Sequence, residues 1–420
     1  MQLTQHPARP ALPGVPAAHA RGVIGLALIL FLVTCVFDPA DKLLGIKVWV
    51  FLLCWILTIA LHPGLTLLRG LPIGLAVYVT AFLAIPLVSI AYYAITDGGQ
   101  PYAGFDLLKG YILITLAPLL VLNRVTLLRE LSAVLTLLAI SILGVFVLLL
   151  LDPDFYAALH AFGSSTGIVF VDVRDYGSDV TLLQVYFVTS PMLVISIAYY
   201  FHQAMASSAR PAKLRYFALV GVSATGMLLA GTRNNIVVSV LLPIALWLMY
   251  ARRRALGAAL SAIAVAFILV LFSGELQTFF DPTEHSNSLK LALVNDYARI
   301  FEDPIALLFG QGLGAYHYWD ATGKSFYVTE LTYLELVRSF GLVGGAVMFG
   351  LLVFPIAYAF ASNKSLKLRA VVIGYAFYLL MCASNPNLFS SMGILFLSVI
   401  LAMIYLARGA GQRPRNVLQP

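Results

Sequence analysis

Charge is scarce in this chain. Of 420 residues, 26 are Lys or Arg and 19 are Asp or Glu, 11% in all, where a soluble domain carries about 25%. Hydrophobic residues make up 61% and the mean hydropathy is +0.92. So much apolar surface cannot be hidden in one water-soluble core. That excludes a soluble globular enzyme, a disordered protein and a nucleic-acid binder. Cysteine is scarce too: Cys35, Cys54 and Cys382 lie far apart in apolar runs. They read as small buried hydrophobes, neither a disulfide framework nor a metal site. No His, Cys and Asp grouping has metal-ligand spacing, so no metal and no cofactor is expected. The weak alternation of a β-barrel is missing as well.

Long unbroken apolar runs are what the chain has in abundance. They predict an all-α, polytopic membrane protein forming one membrane domain over 1–420. Twelve spans fit, at about 22–37, 46–62, 71–94, 108–123, 127–151, 182–203, 215–231, 234–250, 255–272, 332–361, 367–384 and 388–407. The first run lacks a small-residue cleavage site and is followed by Asp38 and Pro39, so it reads as a span and not a cleaved signal. With both termini in the cytoplasm, 17 of the 26 basic residues fall on inner segments and only Glu130 of the acids does. This is the asymmetry of the positive-inside rule. The basic inner loops then face anionic lipid headgroups. Two long outer segments remain, about 152–181 and about 273–331, the second preceding the tenth span. Long loops of this kind are usually functional, so chemistry is expected on the outer face.

Orientation explains the inner arginines but not those outside. Arg233, in Gly-Thr-Arg-Asn-Asn (231–235), sits between two spans at the membrane boundary, where a charge is costly and marks a candidate site. Snorkelling to the interface is the plainer alternative. Arg174 follows Val-Asp-Val, and its planar fork suits phosphate oxygens, although three nearby aspartates also offer ordinary salt bridges. Glu335 and Arg338 are spaced to pair on one helix face. Glu330 closes the long loop, either as a helix N-terminal acid or as a general base. His317 follows glycines at 310, 312 and 314, but no preceding strand or following Lys-Ser/Thr supports a phosphate loop. Tyr316, Tyr318 and Trp319 can stack on sugar rings or anchor at the interface.

These patterns resemble those of the bacterial O-antigen ligase and O-antigen polymerase superfamily. Gly-Thr-Arg-Asn (231–234) is similar to that family's turn with an arginine between two spans. Arg299, Asp303-Pro304 and Gly310-Gln-Gly312-Leu-Gly314 resemble its outer-loop stretch. Thr332-Tyr333-Leu334 through Phe340-Gly341-Leu342-Val343-Gly344 resembles the opening of its next span, and Arg174 with Gly177 its Arg-x-x-Gly segment. Where ligases of the family carry His-Asn, this chain has Glu330-Leu331, which leans toward a polymerase.

The resemblance implies a metal-independent membrane glycosyltransferase of GT-C type in the bacterial inner membrane, acting on the periplasmic face. It would polymerise undecaprenyl-diphosphate-linked oligosaccharide units into O-antigen, capsule or exopolysaccharide, with a chain-length regulator as a partner. Without a metal, arginines must stabilise the leaving diphosphate. Arg174 and Arg233 are the first candidates, then Arg299 and Arg338. One base must take the acceptor proton, Glu330 first and His317 second. Two alternatives stay open: an O-antigen ligase transferring to lipid A core, and a transporter of lipid-linked or small anionic substrates. A transporter should show inverted repeats and broken mid-span helices, which the sequence does not display.

Overall fold

The computed structural model describes residues 18–62, 72–96, 101–152, 154–175, 181–251, 259, 281–362 and 365–411. It is mainly helical. Helices α1 (Ala18–Phe37), α2 (Lys47–Leu61), α3 (Ile73–Thr96), α4 (Tyr102–Ile112), α5 (Leu116–Asn123) and α6 (Leu128–Leu151) come first. Helix α7 (Phe155–Thr166) leads into a hairpin of β1 (Val169–Asp175) and β2 (Thr181–Phe187). Then come α8 (Leu193–Ala206), α9 (Arg210–Leu229) and α10 (Arg233–Tyr250). Beyond them lie α11 (His285–Ile300), α12 (Pro304–Phe309) and a second hairpin, β3 (His317–Trp319) with β4 (Lys324–Phe326). Helices α13 (Thr332–Ala361), α14 (Leu366–Cys382) and α15 (Ser391–Gly411) follow.

Among the described residues, seven helical stretches are long and apolar enough to cross a membrane: 73–96, 102–123, 128–151, 210–229, 233–250, 332–361 and 391–408. Shorter apolar helices cover 22–37 and 47–61. Apolar side chains lie on both faces of these helices. One face packs into a shared core through residues such as Leu28, Phe82, Leu135 and Phe396. The other exposes Leu26, Val88, Leu137 and Val347, a surface suited to lipid and a liability in water. Helix α15 is buried along most of its membrane-length stretch and forms the middle of the bundle.

One expectation needs correcting. The run at 182–203 is not one helix. Its first part is β2, which pairs antiparallel with β1 from Thr181 opposite Asp175 to Phe187 opposite Val169. Only Leu193–Ala206, 14 residues, forms an α-helix there. Apolarity alone cannot separate a buried strand from a helix, and this run is rich in residues that favour both. Of the two long outer segments, one holds α7 and β1 and the other holds α11, α12 and the second hairpin. The span expected at 255–272 falls, apart from residue 259, outside the described residues.

Helix α13 decides how the second loop segment meets the bundle. Gly341 breaks it with φ +68° and ψ 178°. The part after the break, 342–361, covers roughly 30 Å at 1.5 Å per residue, enough to cross the hydrocarbon alone. The part before it is therefore free to carry charge at the boundary. At the break the Arg338 carbonyl accepts from the Gln311 N–H at 2.6 Å, and the Ser339 carbonyl accepts from the Ser89 hydroxyl of α3 at 2.6 Å. That hydroxyl in turn accepts from the Leu313 N–H at 2.7 Å. Backbone groups left open by a kink need such partners.

The Gln311 and Leu313 amides belong to the glycine series. Gly310, Gly312 and Gly314 all have positive φ. Each lies against backbone: Gly310 on Arg338 and Gly341, Gly312 on Ser89 and Tyr93, Gly314 on Gly104 of α4. The glycines thus serve close approach of the loop to the helices rather than a phosphate. Gly341→Ala is expected to lower stability by about 2 kcal/mol or more, because a side chain there meets a left-handed backbone and the Leu308 carbonyl. Gly350→Ala in the same helix faces open space and is expected to be near neutral. Thermal unfolding of the purified protein in detergent checks the contrast.

Candidate functional site

Just before the Gly341 break, one turn of α13 carries a buried ion pair. Arg338 is fully buried and Glu335 nearly so, with Arg338 Nη2 at 2.6 Å from Glu335 Oε1. The i, i+3 spacing legible in the sequence brings them together. All five N–H donors of Arg338 are used. Nε and Nη2 donate to the Glu335 carboxylate, Nη1 donates to Gln311 Oε1 and the Ala315 carbonyl, and Nη2 also donates to the Tyr327 carbonyl. Its guanidinium lies 5.7 Å from the centre of the Trp319 ring.

The Glu335 carboxylate is equally occupied. Besides Arg338 it accepts from the Tyr297 hydroxyl at 2.7 Å and from the Ser339 hydroxyl at 3.1 Å. Tyr297 shares a further hydrogen bond with Thr329 at 2.5 Å. Burial, then the Glu335 charge, raises the Tyr297 pKa, so it remains a neutral donor. With every donor and acceptor engaged, this pair fixes the loop to the helix. Arg338 is left with no spare N–H for a phosphate, which corrects its expected place in a diphosphate clamp.

Trp319 is corrected too. It is fully buried, stacks on Phe326 at 5.6 Å, packs on Tyr297 at 4.8 Å, and donates from Nε1 to the Phe326 carbonyl at 3.1 Å. It forms the core of the loop segment with Leu293, Tyr297, Ile300 and Ala306, so its ring is not open to a sugar. Tyr316 and Tyr318 are exposed.

Above this core lies a cavity of about 410 Å³. His317, Tyr318, Gln311 and Arg299 line it together with Asp296, Asp303 and Asp320. Arg299 is mostly exposed and pairs with Asp320 at 2.5 Å, with Asp296 farther off at 3.7 Å. Burial first, then the Arg338 charge, lowers the His317 pKa below the ordinary imidazole value, with Asp296, Asp320 and Glu335 opposing. The shift favours the neutral imidazole, the form a general base needs. Glu330 lines neither this cavity nor the smaller one beside Glu335 and Tyr111. No hydrogen bond or ion pair to its carboxylate occurs among the described residues. Its backbone carbonyl accepts from the Thr332 N–H at 3.0 Å.

Arg233 lies elsewhere. It opens α10, where the Thr232 side chain caps the helix by accepting from the Asn235 N–H. Arg233 reaches the other end of α11, donating to Asn287 Oδ1 at 2.7 Å and pairing with Glu284 at 2.8 Å. Glu284 is itself the N-cap of α11. Burial pushes the Glu284 pKa up, but the Arg233 hydrogen bond and the Asn287 and Ser286 N–H groups outweigh it, so the net shift is downward. The backbone of Arg174 stands opposite Leu182 in the hairpin, two positions along from Gln184, whose buried side chain packs on Gly231. The Arg174 side chain falls outside the described residues. Arg233 and Arg299 thus sit at opposite ends of α11, roughly 20 Å apart at 1.5 Å per residue. In this arrangement Arg233, Arg299 and Arg338 do not form one clamp.

Sequence reading missed Tyr297, Asp296 and Glu284, which carry no motif of their own. Gln311 offered a signal, a lone amide side chain between two glycines. In comparison with known proteins, the chain matches no family model, and no curated protein matches it significantly.

Glu335→Gln is expected to cost about 3–5 kcal/mol, because it leaves a buried guanidinium uncompensated. Replacing both partners, as Glu335→Gln with Arg338→Met, should restore part of that loss in detergent thermal melts. The Glu284 shift has a definite sign. A depressed folded-state pKa stabilises fully above the ordinary carboxylate range and is lost as pH falls through the folded value. The stability gap between wild type and Glu284→Gln should thus be widest at neutral pH and close toward acid pH. A gap that does not change with pH removes the Arg233–Glu284 contribution.

Proposed function

We propose that this chain is a membrane glycosyltransferase that joins lipid-diphosphate-linked oligosaccharide units into a surface polysaccharide, with its chemistry on the face bearing the two long loop segments. The observation that carries this reading is the cavity over the Arg338–Glu335 pair. It places an imidazole, hydroxyl-accepting carboxylates, an exposed tyrosine and a largely exposed arginine in one space. That is the equipment for glycosyl transfer to a hydroxyl. The resemblance of residues 170–345 to the O-antigen polymerase group supports the same reading.

In this scheme the acceptor sugar occupies the cavity and His317 takes its hydroxyl proton as the oxygen attacks the donor's anomeric carbon. The donor carbon–oxygen bond to diphosphate breaks, and the charge that builds there faces Arg299, which is exposed at the rim. His317 displaces Glu330 as first choice for the base, since Glu330 lines neither cavity. Arg233 and the strand bearing Arg174, at the far end of α11, meet a second diphosphate, that of the acceptor's own lipid carrier. A glycan of several sugars, not a single one, spans the two ends. Inner-membrane location, cytoplasmic termini and a chain-length partner belong to this proposal.

Deleting the gene and separating surface polysaccharide by gel tests the reading. A polymerase defect leaves a single repeat unit on its acceptor. Loss of all attached repeats with accumulating lipid-linked polymer indicates a ligase instead, and repeats trapped inside indicate a transporter. Complementation with His317→Ala is expected to cut polymer formation by about a hundredfold or more while the protein stays in the membrane. Full polymer with His317→Ala removes the imidazole as base.

A further inference from the structure

The charge balance of the 410 Å³ cavity says which sugars it can hold. Its size lies in the range of small-ligand sites. Asp296, Asp303 and Asp320 face it against one cation, Arg299. Asp303 and Asp320 each have one oxygen committed, and Asp296 has both, its Oδ1 facing Arg299 at 3.7 Å. Asp303 Oδ1 accepts from the Ile305 N–H as the α12 cap, Asp296 Oδ2 accepts from the Ala321 N–H, and Asp320 Oδ2 holds Arg299. The second oxygens of Asp303 and Asp320 carry no hydrogen bond among the described residues and can accept from a ligand. The one strong cation beneath the floor, Arg338, is neutralised by Glu335.

We infer that this cavity is a subsite for an uncharged or amino-bearing sugar and discriminates against uronic acids and diphosphate. The inference rests on the glycosyltransferase reading only for the sugar's role as acceptor. Sugar hydroxyls and ammonium groups donate to carboxylates, whereas an anionic ligand meets two unbalanced negative charges at close range. Tyr318, exposed at the cavity edge, offers its ring to the apolar face of the pyranose. A diphosphate is therefore met at the rim, on the exposed Arg299 head, or farther away at Arg233.

The test is saturation-transfer NMR on the full chain in lipid nanodiscs, with methyl glucoside, methyl glucosaminide and methyl glucuronide as probes. Tyr318→Ala serves as the reference whose remaining signal is glycoside contact with the disc alone. The glucoside and glucosaminide should show transfer that Tyr318→Ala loses, and the glucuronide should be weaker by about tenfold or more. Asp303→Asn keeps a good helix cap and should raise the glucuronide signal, as should Asp320→Asn. Equal transfer to glucuronide and glucoside in wild type overturns the inference. So does displacement of glucoside by inorganic pyrophosphate, or no glycoside signal above the Tyr318→Ala reference. The selectivity appearing while gene deletion leaves polysaccharide unchanged would sink the transferase reading and leave the subsite standing. Lost polymer without selectivity would do the reverse.

Discussion

A guanidinium with no exposed surface, at the edge of an apolar bundle, has to be matched atom for atom. Arg338 meets that demand with Glu335, Gln311 and the carbonyls of Ala315 and Tyr327. Its partners come from α13 itself and from the loop on both sides of the second hairpin. Satisfying one charge therefore sets the position of a whole loop segment. Buried ion pairs of this kind add little net stability compared with apolar packing. What they supply is a unique arrangement, because any other docking leaves a charge stranded. The Gly341 break belongs to the same device. It ends the charged turn before the hydrocarbon begins and turns one carbonyl toward the glycine loop and the next toward the Ser89 hydroxyl of α3.

The cavity inherits its geometry from that docking. Trp319 packs over the guanidinium and fixes the hairpin, and His317 stands edge-on to it at 5.0 Å. Burial of the imidazole, and then the nearby Arg338 charge, favours its neutral form. Asp296 and Arg299 project from the end of α11, whose Tyr297 hydroxyl is tied to Glu335. The walls of the cavity are thus fixed from below by the pair that the membrane boundary makes costly to disturb.

Much of this was legible in the sequence, for identifiable reasons. Helices of membrane length announce themselves through apolar runs, and the Glu335–Arg338 spacing announces a pair because helix geometry is periodic. The glycines at 310, 312 and 314 were visible as a tight turn, but only the neighbours Ser89 and Gly104 reveal that the turn docks against helices. Trp319 was misread because an aromatic run near a boundary looks the same whether it faces lipid, sugar or its own small core. The strand at 181–187 was hidden inside an apolar run, since its pairing with 169–175 is a property of two segments together. Tyr297 was invisible because a tyrosine in a polar helix has no pattern until its hydroxyl finds a carboxylate far along the chain.

The length of α11 separates tasks that motifs alone had merged. Arg233 is tied to the N-cap of that helix through Glu284, and Arg299 stands at its other end beside Asp320. A single diphosphate is far shorter than the roughly 20 Å between them. One anion therefore cannot explain both arginines. The separation fits a substrate with two distant anionic or polar ends, or two substrates meeting along one helix. A lipid-linked oligosaccharide acting as acceptor for another has both properties. Its diphosphate stays near the boundary while its last sugar extends outward along the loop segment. A transporter moving one small anion has no use for such spacing; on the proposed transferase reading, α11 is the spacer between the two ends of an extended glycan.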